Sequence, residues 1–236
     1  MLFSKKKSQE AQERGLAVVV STVLDEEQTA MLYERIDGIP LIARTLMALE
    51  RAPVVDEIIL VTWESGLERM VSVCRTFAPR RVRKVVCARS QGCTALLAGV
   101  HECDPAAEFI AIHDPLCPFV TAAVLEEVLQ MARKKGAATV AVPVRDTIKI
   151  VRDGVIQSTP DRRSLYTLQS PQVVESSLLK ATLEQAVAQG KTTQDLAAVL
   201  EDFGVSFGFS EGNDENIRVT DMGALQIAET VLTWRG

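Results

Sequence analysis

The sequence has too few metal-binding side chains at suitable spacing for a zinc site. It contains two histidines, and its five cysteines form no Cys-x-x-Cys pair. Two histidines cannot complete a tetrahedral ligand set at a recognised spacing, so a metal site built from cysteine and histidine is not expected. An odd number of scattered cysteines also favours reduced thiols, as in the cytosol.

Long apolar runs are also missing. No stretch reaches the roughly 18 apolar residues of a membrane-spanning helix, and no signal peptide is recognisable. We therefore expect a cytoplasmic protein with no membrane partner.

Positive charge is scarce as well. There are 26 Lys and Arg against 31 Asp and Glu, which gives a net charge of −5, and no basic stripe with interleaved aromatic residues is present. A nucleic-acid partner is therefore not expected. The basic cluster Lys5-Lys6-Lys7 lies in residues 1–14, which we interpret as a disordered polar tail. Residues 15–236 have the length of one domain.

An apolar run at residues 109–113 ends in His113. Asp114 follows it, and prolines come next. This pattern is typical of a buried strand that brings a carboxylate to the carboxyl edge of a parallel sheet, where open α/β folds bind ligands. Residues 121–135 have helical spacing of apolar side chains, with Thr121 as a candidate N-cap. A second buried strand follows at about Val140 and leaves the sheet through a charged segment.

The rest of the chain also alternates between predicted strands and predicted helices. Before Asp114, strands are predicted at 15–21, 54–62 and 82–87, and helices at 38–50, 66–77 and 92–103. After the hairpin described next, helices are predicted at 175–189, 193–203 and 221–234, and a strand at 205–209. The alternation predicts an α/β fold, a Rossmann-like, doubly wound and mostly parallel sheet with right-handed crossovers.

The segment at about 149–159 breaks this alternation. Two short runs of alternating residues flank Asp153-Gly154, which predicts a β-hairpin. An isolated two-stranded hairpin is marginal in water, so we expect a protruding β-arm that a partner subunit covers.

Four motifs in a fixed order then make the sequence similar to a known family. They are His113-Asp-x-x-x-Pro118, Pro143-Val-x-Asp-Thr-Ile-Lys149, Asp161-Arg-x-x-Leu-Tyr-x-x-Gln-Ser-Pro-Gln172 and Asn216-Ile-Arg-Val-Thr220. Over roughly residues 15–233 the chain resembles the 2-C-methyl-D-erythritol 4-phosphate cytidylyltransferases, whose motifs read HDAARP, PVxDTIK, DRxxLWxxQTPQ and NIKIT. The resemblance implies a Rossmann-like nucleotidyltransferase with a β-arm that embraces a second subunit, and therefore a homodimer.

The resemblance also implies a reaction in the isoprenoid precursor pathway. The sugar-alcohol phosphate attacks the α-phosphate of CTP, and CDP-methylerythritol and pyrophosphate are released. Mg²⁺ is the implied cofactor, and CTP and a small phosphorylated substrate are the implied ligands. Phosphoryl transfer of this kind depends mostly on positioning and on electrostatic stabilisation of developing charge.

Two residues are implied to be catalytic. Asp114 matches the metal-binding aspartate of the family, and Arg218 stands where the family has a catalytic lysine. From the local sequence alone, Asp114 could equally cap a turn before Pro115, and Arg218 could pair with Asp214.

Four further residues are implied to bind substrate. Asp146 and Thr147 match the motif at the base of the arm, where Thr147 would contact substrate across the dimer. Arg162 matches an arginine that reaches the polyol phosphate of the opposite subunit, and Ser170 keeps the hydroxyl of a family threonine. A planar guanidinium suits a phosphate, although Arg162 could instead pair with Asp161 or Asp146.

The nucleotide half departs from the family pattern. The family's glycine-rich triphosphate loop corresponds here to residues 20–33, which contain no glycine and carry three consecutive acids, Asp25, Glu26 and Glu27. Glycines in such loops let backbone N–H groups approach phosphates. Four functional side chains of the family are replaced in this chain. Met31 stands in place of a lysine, Gly92 and Cys117 in place of arginines, and Ala95 in place of a serine.

Three interpretations follow. The chain is an enzyme of this family with a rebuilt triphosphate site, or a non-catalytic homologue that binds a small phosphorylated or acidic ligand or regulates a partner. A weaker third is a nucleotidyltransferase for another sugar. Fold alone does not decide among them.

Overall fold

The structure is a computed structural model that describes residues 15–78, 80–193 and 195–235. The polar tail predicted at residues 1–14 lies outside the described residues. Within the described ranges, no helix combines the length and apolar character needed to cross a bilayer.

The strands are, in chain order, β1 (Leu16–Ser21), β2 (Arg35–Ile36), β3 (Ile39–Pro40), β4 (Val55–Trp63), β5 (Val82–Ala88), β6 (Phe109–His113), β7 (Ala137–Pro143), β8 (Ile150–Arg152), β9 (Val155–Ser158), β10 (Tyr166–Glu175) and β11 (Gly208–Glu211). The helices are α1 (Glu26–Met31), α2 (Leu41–Arg51), α3 (Leu67–Phe77), α4 (Cys93–His101), α5 (Ala122–Lys135), α6 (Ser176–Ala188), α7 (Leu196–Asp202) and α8 (Met222–Arg235).

Seven strands form the central sheet in the spatial order β11-β7-β10-β6-β1-β4-β5. The pairs β6–β1, β1–β4, β4–β5 and β11–β7 are parallel, whereas β10 runs antiparallel to both of its neighbours. The predicted Rossmann-like, mostly parallel α/β sheet is therefore confirmed. Because β1 and β6 are adjacent and parallel, the residues that follow them, including Asp114, meet at one edge of the sheet.

Apolar side chains cover both faces of this sheet. Along β1, Leu16, Val18 and Val20 belong to one buried cluster and Ala17 and Val19 to the other, as the two-residue period of a strand requires. Helices α2, α3, α5 and α8 pack on the first face, and α4, α6 and α7 on the second. Strands of such sheets are buried on both faces and are therefore continuously apolar. This explains why the sequence pattern predicted them.

Several predicted boundaries were wrong. The strand predicted at 205–209 lies at Gly208–Glu211, because Gly204 adopts φ +76° and Val205 N–H still donates to Leu200 O at 2.9 Å, closing the end of α7. The helix predicted at 193–203 begins at Leu196, because the Asp195 side chain accepts from Ala198 N–H and caps it. The helix predicted at 92–103 is Cys93–His101.

Other predicted elements are confirmed. Thr121 caps α5, accepting from Val124 N–H at 3.3 Å. The hairpin β8–β9 pairs Val151 with Ile156, and its turn residues Asp153 (φ 49°) and Gly154 (φ 74°) adopt the left-handed backbone that tight hairpins need. Both strands are exposed along their whole length. The partner that would cover this β-arm stays a prediction.

Candidate functional site

A cavity of about 440 Å³ opens at the carboxyl ends of β1 and β6 and extends along β10. Its lining is Ser21, Leu24, Leu96, Ile112, His113, Asp114, Pro115, Cys117, Thr167, Leu168, Gln169, Ser170, Gln172, Asp195, Leu196, Asn216, Ile217 and Arg218. We call it the sheet-edge pocket. Three of the predicted site residues, Asp114, Ser170 and Arg218, are brought together here.

Ser170 connects β10 to the end of β6 through its hydroxyl. Asp114 N–H donates to Ser170 Oγ at 2.8 Å, and Ser170 Oγ lies 2.9 Å from His113 Nδ1. On the other side of the ring, His113 Nε2 lies 3.0 Å from the carbonyl oxygen of Cys117. Because a carbonyl only accepts, Nε2 carries the proton and Nδ1 accepts the Ser170 hydroxyl proton. The ladder between β10 and β7 is irregular between Gln169 and Gln172, which lets Ser170 reach this position.

His113 is therefore a buried structural group rather than an exposed base. Its side chain is 1% exposed, and burial lowers its pKa from 6.5 to about 4. A neutral imidazole with one donor and one acceptor satisfies both contacts, so the network needs the uncharged ring.

The lowered pKa predicts a pH-dependent stability. Between pH 6.5 and 4 the unfolded chain binds a proton at residue 113 more readily than the folded chain, so the stabilisation is complete above pH 6.5 and falls as the pH drops. His113 should account for a loss of about 2 kcal/mol between pH 7 and pH 5. Urea unfolding at both pH values should show that His113→Gln removes this difference and that His101→Gln, at an exposed position, keeps it. An unchanged pH difference in His113→Gln would refute the assignment.

Asp114 and Arg218 form an ion pair at the mouth of the pocket. Arg218 Nε donates to Asp114 Oδ2 at 2.5 Å, and Asp114 Oδ1 accepts from Leu116 N–H at 2.8 Å. The backbone contact from Val219 N–H to Leu116 O, at 2.9 Å, holds the two segments side by side. The alternative pairing of Arg218 with Asp214 was wrong.

Two neighbouring amides were not assigned a role from the sequence. Asn216 Nδ2 donates to Ser170 O, and Gln169 Nε2 donates to Asn213 O, both at 2.8 Å. Asn216 Oδ1 and Gln169 Oε1 are buried and have no hydrogen-bond partner among the described atoms. Both residues lie within the quoted motifs, but only the fold shows that they border the pocket.

The other predicted site residues lie outside the sheet-edge pocket. Asp146 and Thr147 are exposed in the segment before the β-arm, outside the pocket lining. Arg162 is also exposed and donates to Arg145 O at 2.8 Å. The arginine that pairs with Asp161 is Arg163, at 2.7 Å, so that alternative for Arg162 was wrong. The roles of Asp146, Thr147 and Arg162 across a dimer stay predictions.

The stretch that corresponds to the triphosphate loop is partly helical. Asp25 Oδ1 accepts from Gln28 N–H at 2.8 Å and caps α1, and Trp63 Nε1 donates to Leu24 O at 3.3 Å. Met31 is 7% exposed and packs in the core. The helix was missed because an acid-rich stretch without apolar periodicity gives no helical pattern over six residues.

Protein atoms also fill the space beside Gly92. A Cβ at this position would overlap the carbonyl oxygen of Thr192, and Cys93 Sγ donates to Thr193 O at 3.3 Å. The charged side chains among the described pocket-lining residues are Asp114, Asp195 and Arg218. The lining therefore carries one more negative than positive charge.

The fold and the pocket together define a Rossmann-like α/β protein whose candidate ligand site lies at the carboxyl ends of parallel strands. Comparison with known proteins specifies it further. A family model described as 2-C-methyl-D-erythritol 4-phosphate cytidylyltransferase matches residues 24–234. The chain belongs to this family.

Two relatives that carry the family's name illustrate the match. One, from Symbiobacterium thermophilum, is 34% identical over 227 residues and covers 92% of this chain and 94% of that protein. The other, from Geotalea uraniireducens, is 32% identical over 203 residues and covers 85% of this chain and 87% of that protein.

Solved structures support the fold. The 4-diphosphocytidyl-2C-methyl-D-erythritol synthase from Anaerococcus prevotii superposes with a TM-score of 0.83 at 22% identity, over 93% of this chain and 99% of that one. The 2-C-methyl-D-erythritol 4-phosphate cytidylyltransferase from Thermus thermophilus gives a TM-score of 0.76 at 18% identity, over 93% of this chain and 99% of that one. At these identities the likeness establishes the shared architecture.

Proposed function

We propose that this family member uses the sheet-edge pocket to bind a small phosphorylated or acidic polyol, and that it transfers cytidylyl groups far more slowly than the family's enzymes. One observation carries the proposal. Among the described pocket-lining residues Arg218 is the single cation, and Asp114 already neutralises it. A nucleoside triphosphate needs several donors and cations around its phosphates.

The contacts beside Arg218 favour a polyol carrying one anionic group. Arg218 could exchange its bond to Asp114 for a bond to a ligand phosphate, because a guanidinium matches that anion. Asn216 Oδ1 and Gln169 Oε1 are buried in this conformation and have no described partner, so a rotation of these lining side chains would offer acceptors to hydroxyl groups of the ligand. Satisfying buried acceptors is favourable, since an unpaired buried polar atom costs about 1–3 kcal/mol.

Mg²⁺ is expected from the resemblance, but this pocket does not provide a metal site of its own. No group of three or more His, Cys, Asp or Glu side chains gathers within the described ranges. Asp114 contributes one carboxylate, and both of its oxygens already accept hydrogen bonds. Mg²⁺ takes six oxygen ligands in near-ideal geometry, so most of them would have to come from a bound ligand and water.

The second candidate is cytidylyl transfer itself, with CTP and methylerythritol phosphate as substrates. Family membership at 32–34% identity favours it, as does the position of Asp114 in the pocket. The two functions differ in one measurable respect, which is whether CTP is bound and consumed.

Calorimetry followed by a pyrophosphate-release assay separates the two functions. We expect 2-C-methyl-D-erythritol 4-phosphate to bind and CTP with Mg²⁺ to bind weakly or not at all. Turnover should be at least about a thousandfold below that of a family enzyme assayed in parallel, which corresponds to about 4 kcal/mol of lost transition-state stabilisation.

Two variants of Arg218 provide the matched control. Arg218→Gln should abolish binding of the polyol phosphate, whereas Arg218→Lys, which restores the family's side chain, should retain it. Pyrophosphate release within tenfold of the family enzyme would overturn the proposal in favour of the second candidate. Equal binding by the parent and by Arg218→Gln would show that the ligand is held elsewhere.

A further inference from the structure

A second cavity, of about 370 Å³, lies between α2, the segment before α5 and the end of α8. It shares no lining residue with the sheet-edge pocket. Its lining is Arg44, Met47, Ala48, Arg51, Ala52, Pro118, Phe119, Val120, Thr121, Ala122, Leu232 and Arg235. We call it the arginine cavity.

The charged side chains that line the arginine cavity have one sign. Arg44, Arg51 and Arg235 line it, and no acidic side chain does so among the described residues. Arg44 and Arg51 are seven residues apart, and two helical turns place them on one face of α2. The geometry therefore concentrates three guanidinium groups around one small space.

The existing partners leave part of this charge uncompensated. Arg44 Nε donates to Ile36 O at 2.7 Å, and one of its terminal nitrogens lies 3.6 Å from a carboxylate oxygen of Asp37, a side chain that is 84% exposed. Arg51 makes no hydrogen bond or ion pair with the described part of the chain. Burial lowers the pKa of Arg44 below its usual value and repulsion by Arg51 adds to this, while Asp37 acts in the opposite direction.

Hydrogen bonds fix the position of the Arg235 guanidinium, which still lines the cavity. Its Nε donates to Glu215 at 2.7 Å, and both terminal nitrogens donate to Phe119 O at 3.2 Å. Its guanidinium lies 5.2 Å from the centre of the Phe119 ring. A positioned guanidinium on an aromatic face is a preorganised donor for an oxyanion.

The remaining wall is apolar, and the N-terminus of a helix adjoins it. The half-buried Leu232 and Met47 contribute accessible apolar surface, while Thr121 and Ala122 are the N-cap and first residue of the 14-residue α5. The partial positive charge of a helix N-terminus adds to that of the arginines. An oxyanion alone would leave the apolar wall uncovered.

We propose that the arginine cavity binds a small phosphate ester with an apolar substituent, at a site separate from the sheet-edge pocket. The phosphate lies between Arg44, Arg51 and Arg235. Arg51 has no described partner and can donate a pair of hydrogen bonds to the phosphate oxygens, while Arg44 and Arg235 offer the N–H groups that their present partners leave unused. The substituent packs against Leu232 and Met47. A volume of about 370 Å³ falls within the range of small-molecule sites.

Titration calorimetry of the full chain with phenyl phosphate and with inorganic phosphate tests this. Phenyl phosphate should bind at least about tenfold more tightly than inorganic phosphate, because only the ester covers the apolar wall. Arg51→Gln should weaken phenyl phosphate binding about tenfold. The side chain is exposed and makes no described polar contact, so the thermal midpoint without ligand should not change.

Two matched variants locate the site. Arg75→Gln removes an exposed arginine of α3 away from the cavity, and Arg218→Gln removes the cation of the sheet-edge pocket. Both should bind phenyl phosphate as the parent does. Failure of the parent to bind at millimolar concentration, or unchanged binding by Arg51→Gln, would overturn the proposal. Equal affinity for the two anions would exclude the apolar substituent, and loss of binding in Arg218→Gln would move the ligand to the other pocket.

Discussion

Gly92→Ala should destabilise the protein by about 3–5 kcal/mol, and Gly92→Arg by at least as much. Gly92 has φ +67°, and a Cβ there would overlap the backbone carbonyl of Thr192, which cannot rotate away as a flexible side chain could. Two costs therefore add, the left-handed backbone of a residue with a Cβ and the displacement of the segment around residue 192. Urea unfolding monitored by circular dichroism measures the loss.

Gly136→Ala is the matched control for this prediction. Gly136 has φ +83° at the end of α5, and nothing lies within 4 Å of its added Cβ. This variant should lose only the conformational part, about 1 kcal/mol. The difference between the two variants contains the overlap with Thr192 and the extra backbone cost of Gly92, whose ψ is −141° where that of Gly136 is −31°. Equal losses at positions 92 and 136 would show that the neighbouring backbone yields freely.

The close contact beside Gly92 also affects the nucleotide half of the site. The resemblance places an arginine of the family at position 92, and here the chain around Thr192 and Thr193 occupies the space beside it. Restoring that arginine alone should therefore unfold the region rather than create a phosphate contact. A folded Gly92→Arg variant that gains CTP binding would contradict this account.

The strands and helices that were predicted correctly share one property. Each buries its side chains in a regular pattern over one continuous stretch of the chain. The run that forms β6 and the helical spacing of α5 are both fully expressed within about fifteen residues. Strand β10 was missed because it pairs antiparallel with β6 and β7, which are distant in sequence, and because Pro171 interrupts its pattern. Long-range pairing of this kind leaves little local signal.

The candidate site, too, was only partly predictable from the sequence. The motifs singled out Asp114, Ser170 and Arg218, and the fold places all three in the lining of one pocket. The unpartnered oxygens of Asn216 and Gln169 depend on which atoms the fold buries, and no spacing in the sequence reports that. The arginine cavity was likewise unpredictable, since α2 and α8 meet there from opposite ends of the chain.

The protein should be a homodimer formed through the β-arm, with an interface of about 1,600 Å². Val151 and Ile156 face each other across the hairpin and are 53% and 62% exposed, so one face of the arm is apolar and uncovered in the protomer. Ile156→Glu should weaken dimerisation at least about a hundredfold, because a charge would be buried without a partner. Gln157→Glu, on the opposite face of the same strand, is the matched control and should leave the dimer intact.

Sedimentation equilibrium at micromolar concentration measures the association, and ligand-dependent melting shows whether the dimer completes the site. Thr147 and Arg162 lie outside the sheet-edge pocket of their own protomer, so they reach a ligand there only if they belong to the other subunit. A phosphorylated ligand at a hundredfold excess over its Kd should stabilise the dimer by about 2.7 kcal/mol. Arg162→Ala should lose most of that stabilisation while remaining dimeric, and Ile156→Glu should lose it together with the dimer. A monomeric parent would refute the arm interface, and full ligand stabilisation in monomeric Ile156→Glu would show that one protomer holds the whole site.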